Sequence, residues 1–119
     1  MRTGLFGGLL ILCAFSAGTF AQDGQKVHGY LVDAICAKNH AKEAGYGANH
    51  TKKCSLMDVC ARSGFSLITD DQKVFQFDAK GNEEALNLLK LTERDKDWKV
   101  VVTGKLEGQT IAVTSIALE

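Results

Sequence analysis

The 119-residue chain contains no proline, carries no net charge, and holds one tryptophan and two tyrosines. Each shortage excludes something. Without proline there is no polyproline spacer, and no linker, internal repeat or low-complexity tract is visible. Fourteen basic residues balance fourteen acidic ones and are scattered along the chain, so there is no cationic surplus to displace counterions from nucleic acid. Nucleic acid is therefore not an expected partner. Complete catalytic signatures are missing as well. Ser55, Ser63, Ser66 and Ser115 sit in neither a Gly-x-Ser-x-Gly elbow nor a Ser-x-x-Lys motif. Gly45, Gly47 and Gly64 are not followed by the Gly-Lys-Ser/Thr of a phosphate loop, and Asp58, Asp70, Asp71 and Asp78 lack calcium-loop spacing and read as turn and surface residues.

What is present describes one folded domain with an address in front. A composition of 45% hydrophobic and 24% charged residues suits a globular chain, and the length leaves room for a single core. Met1 and Arg2 precede an apolar run ending in the small-x-small pattern Thr19-Phe20-Ala21, which reads as a signal peptide over 1–21. The run is about 16 residues, short of the roughly 20 that a spanning helix needs, so no stable membrane span is expected after cleavage. A lipid anchor at Cys13 is disfavoured by the bulky Leu12 before it. The remaining domain, 22–119, is expected to be exported, periplasmic or secreted, where disulfides persist. It keeps Cys36, Cys54 and Cys60.

Periodicity divides that domain into elements. A first strand over 27–32 leads to Asp33 as a helix cap, then to helices over 34–44 and 51–63 stopped by Gly45 and Gly64. Strands over 65–69 and 73–77 flank Asp70-Asp71-Gln72, with Phe75 and Phe77 on one face. Asn82 is placed as the N-cap of a helix striped by Ala85, Leu86, Leu88, Leu89 and Leu91. Strands over 98–106 and 110–118 flank Glu107-Gly108. In the last strand Ile111, Val113, Ser115 and Ala117 alternate against Ala112, Thr114, Ile116 and Leu118, so the pattern alone does not choose a face. The expected fold is α+β: a five-stranded OB-like β-barrel with a helical Cys/His insertion at about 34–64 between strands 1 and 2, and a helix between strands 3 and 4.

The Val-x-Val-x-Gly-x-Leu run at 100–106 and Ile-x-Val-x-x-Ile at 111–116 resemble the closing hairpin of small exported bacterial OB-fold domains. A wider set resembles a group of uncharacterised secreted bacterial small-domain proteins. It comprises Gly29-Tyr30-Leu31-Val32-Asp33-Ala34-Ile35-Cys36, His40, Cys54, Cys60, Ser63-Gly64 and Phe77-Asp78-Ala79-Lys80-Gly81-Asn82. The resemblance implies export and the fold; it implies no activity. Asn49-His50-Thr51 matches an N-glycosylation acceptor, relevant only in a host that glycosylates exported chains.

One constellation carries chemistry. Cys36-x3-His40 and His50-x3-Cys54 are mirror images whose members share a helix face, and a hairpin turning at Gly45 places His40 opposite His50 and Cys36 opposite Cys54. With Cys60 in reach, this is a candidate zinc site; including Met57 it would suit monovalent copper. The alternative is a disulfide from Cys36 to Cys54 or Cys60, worth about 3 kcal/mol. Cys54 and Cys60 on one continuous helix would stand about 9 Å apart, too far to bond. Three cysteines are odd, so either bond leaves a thiol over, and Lys52 and Lys53 beside Cys54 would favour its thiolate. Cys36 and His40 could form a nucleophilic pair, but without an orienting residue or oxyanion hole an enzyme is the remote alternative. His28 reads as a strand residue before a third imidazole, and Asp33 as a cap before a ligand or acid–base group. Phe65, Phe75, Phe77 and Trp98 read as core before a stacking platform. The expectation is a small exported binding or accessory module that takes a transition metal, zinc or copper, through its Cys/His hairpin. The alternative is a disulfide-stapled structural domain that meets an envelope protein or glycan.

Overall fold

The run Gln25–Asp33 forms β1, the hub of the sheet in a computed structural model that describes residues 24–119. The signal peptide expected over 1–21, with Cys13, lies outside the described residues. β1 pairs antiparallel with β2 (Phe65–Ile68) on one side and with β4 (Lys99–Glu107) on the other. β2 pairs with β3 (Val74–Phe77) and β4 with β5 (Thr110–Leu118), both antiparallel. The ring closes where β3 runs parallel to β5 over only Gln76↔Thr110 and Phe77↔Ile111. The result is an α+β domain whose five-stranded mixed sheet runs β1-β2-β3-β5-β4 and back to β1. Every strand then has two neighbours and none is left as a free edge.

Strand alternation turns one face inward. Leu31, Phe65, Leu67, Phe77, Val100, Val102, Ile111 and Val113 bury together with Trp98 and with Ala85 and Leu89 of α5 (Ala79–Leu91). The two alternations of β5 are both used. Pairing steps from Gly104↔Val113 to Thr103↔Ser115, so Thr114 is an extra residue, and Ile116 and Leu118 regain the core side beyond it. Gly104 marks the bulge, where a Cβ would press on the Ala112 carbonyl and come 2.8 Å from Ile111 Cγ2.

α5 begins before Asn82. Asp78 is its cap, with Oδ1 accepting from the Gly81 N–H at 2.9 Å and also from the Val113 N–H of β5 at 3.2 Å. The Asn82 side chain, expected as the cap, instead accepts from the Phe65 N–H at 2.8 Å and ties the first turn of α5 to β2.

Between β1 and β2 the two expected helices become four: α1 (Ala34–His40), α2 (Tyr46–Asn49), α3 (Lys52–Ser55) and α4 (Asp58–Arg62). Gly45 at φ +75° separates α1 from α2. Thr51 is extended and caps α3 by accepting from the Cys54 N–H at 3.1 Å. Met57, extended at ψ 141°, breaks the continuous helix expected over 51–63. The antiparallel Cys/His helical hairpin therefore does not form. The insertion has a small core of its own, in which Ala37 and Ala41 cover Val32 and Ile68 on the outer face of β1 and β2. Among the described residues no helix is long and apolar enough to cross a membrane.

Candidate functional site

β1 delivers Asp33 to the start of α1, where it is fully buried. Its Oδ2 accepts the Cys36 backbone N–H at 3.1 Å, which makes it the α1 cap, and its Oδ1 accepts from His50 Nε2 at 2.8 Å. His50 is itself buried, at 5% exposure, so this pair is out of water. Burial pushes the Asp33 carboxyl up. The His50 hydrogen bond, the Cys36 backbone N–H, the Cys36 thiol and charge on His50 outweigh that push and hold it below the ordinary carboxylate value. Asp33 is thus a carboxylate at neutral pH.

Two thiols join it. The short helices fold α4 back against α1, and a carboxylate oxygen of Asp33 and the Sγ atoms of Cys36 and Cys60 all lie within 4.8 Å of one another. Cys36 and Cys60 are partly exposed and unbonded. The Cys36 thiol is raised to about 11, by burial first, against the pull of the Tyr46 hydroxyl and with a further push from Asp33 and Cys60. Cys60 is raised as well, by burial first and then by the Asp33 charge. Burial first, then Cys36, raises the Tyr46 hydroxyl. Without a cation the thiols therefore stay neutral at pH 7, and a bound cation would offset the repulsion among one carboxylate and two thiolates. The spacing suits one. Tetrahedral zinc with sulfur at about 2.3 Å and oxygen at about 2.0 Å sets S···S near 3.8 Å and S···O near 3.5 Å.

The other expected ligands stand elsewhere. Cys36 meets Cys60 rather than Cys54, which is exposed on α3 and outside the cluster. His40 and His50 do not face each other directly; both lie against the Tyr46 ring, His40 stacked at 4.7 Å between centroids and His50 tilted at 5.3 Å. His40 Nδ1 is engaged with Glu43 at 3.0 Å, and His28 with the Glu119 side chain. Met57 is 56% exposed at the break between α3 and α4. Asp33 is the ligand-type residue that the Cys/His pattern passes over. Its signal was the Asp-x-x-Cys spacing, which makes an N-cap carboxylate the immediate neighbour of the cysteine three residues on. Tyr46, a single aromatic after Gly45, has no comparable signal.

No family model, no curated protein and no solved structure matches the chain.

Proposed function

We propose that the protein is an exported binding or accessory module holding a transition-metal ion, zinc first, through Cys36, Cys60 and Asp33. The convergence of two thiols and a buried carboxylate within 4.8 Å carries this reading. Two soft donors with one hard donor favour zinc over monovalent copper. His50, expected as a ligand, is better assigned behind Asp33, where its Nε2–H orients the carboxylate as outer partners of metal ligands do. His40 and Cys54 drop out of the ligand set. The scaffold is proposed to be an OB-like barrel, supported by the strand order, the parallel β3–β5 pairing and the helix between β3 and β4. In that fold the loop between the first two strands is a ligand-binding position, and here the insertion fills it. The leader-like segment 1–21 supports export.

The experiment is metal analysis of the exported protein with its single-cysteine variants. One equivalent of zinc is expected, with affinity lowered at least tenfold by Cys36→Ser or Cys60→Ser and unchanged by Cys54→Ser. The proximity of the same thiols favours a second reading, a Cys36–Cys60 staple in a domain that binds an envelope protein or glycan. A metal-free protein lighter by two hydrogens, with Cys54 alone alkylated, that takes up no zinc after reduction would favour the staple and sink the first reading.

A further inference from the structure

The two readings of the Cys36–Cys60 pair describe two states that one geometry can reach. We infer that the site is gated by thiol–disulfide exchange: an incoming disulfide oxidises Cys36 and Cys60 to an intramolecular disulfide, and the metal ion is released. This rests on the metal reading above. The Sγ atoms lie within 4.8 Å, so closing them to a bond of about 2.0 Å needs a shift of less than about 3 Å. The carrier of Cys60 is lightly held. α4 has five residues and buries none of them, its Val59 is 62% exposed, and it is bounded by extended Met57 and by Gly64 at φ +90°. Only Ala61 of α4 packs against the core of the ring, at its margin and partly exposed, and no residue of α4 belongs to the Val32–Ala37–Ala41–Ile68 cluster, so a small shift of α4 leaves both cores in place. Both thiols are partly exposed, so a disulfide in solution can reach them.

The thiolate of one cysteine attacks a sulfur of the disulfide RSSR, whose S–S bond breaks; RS⁻ leaves and takes a proton from water. The second cysteine's thiolate attacks the protein sulfur of the mixed disulfide, the Cys36–Cys60 bond forms, and the second RS⁻ leaves and is protonated. Two thiolates have lost two electrons, RSSR has gained them, and the divalent ion has lost two of its three donors.

The test uses zinc-loaded Cys54→Ser protein, which removes the exposed thiol outside the cluster, titrated with oxidised glutathione. A chromophoric chelator reads the zinc set free, and peptide mass reads the cysteines. Zinc release and the Cys36–Cys60 disulfide are expected to rise together in a one-to-one ratio and to reverse with dithiothreitol. In Cys60→Ser, oxidation is expected to stop at a glutathione adduct on Cys36. Zinc retained by the oxidised pair, zinc retained with both thiols untouched, or release with glutathione on both cysteines overturns the gate and leaves the metal site standing. Failure of the reduced protein to take up zinc overturns the metal site itself.

Discussion

Asp33 does two jobs with two oxygens, and its variants separate them. Asp33→Ala removes the α1 cap, at a cost of about 1 kcal/mol, and leaves His50 buried without a partner, for a further 1–3 kcal/mol or so. Asp33→Asn keeps a capping oxygen, so urea denaturation is expected to show a much smaller loss, although both variants remove a donor from the proposed metal site. The pH dependence has a definite sign. The folded carboxyl lies below its ordinary value of 3.8, so in the metal-free protein the stability it lends is whole above about pH 4. It drains as the pH falls through the lower folded value. Acid titration followed by circular dichroism should show the advantage of the wild type over Asp33→Asn at neutral pH shrinking below about pH 4. The cap was legible in the place of Asp33 between a strand and a helix. The cluster was not, because Cys60 and His50 reach Asp33 only through tertiary packing that no local period encodes.

At the scale of elements, periodicity identified all five strands and α5, because each has a face that must bury. It failed over 51–63, which contains neither glycine nor proline before Gly64 to announce the break at Met57. That break lets α4 turn back to α1, so its cause lies in the partner and not in the segment. Asn82 has the chemistry of an N-cap for α5, but Asp78, four positions earlier and equally suited to a turn, does the capping. β5 looked undecided because a bulge at Thr114 hands the core from one alternation to the other. Gly104→Ala tests that arrangement. Its Cβ would meet backbone as well as Ile111, so thermal unfolding is expected to show a loss of about 1–3 kcal/mol.

The described residues form two cores of unequal size, one inside the ring and one under the insertion. Native-state hydrogen exchange is therefore expected to report the amides of α4, and then α1, opening at lower free energy than those of β1 and β4. Equal protection throughout would mean that the insertion and the ring unfold as one unit. The parallel seam between β3 and β5 has a consequence in time. Residues 78–109 separate the two strands, so they can meet only after α5 and the β4–β5 hairpin have ordered. A single carboxylate, that of Asp78, then fastens both the start of α5 and the Val113 amide, so closing the ring also ties the first turn of the helix to β5. Until the ring closes β3 and β5 each offer an unpaired margin to any neighbouring chain, so crowding of incompletely folded chains is a hazard this architecture faces.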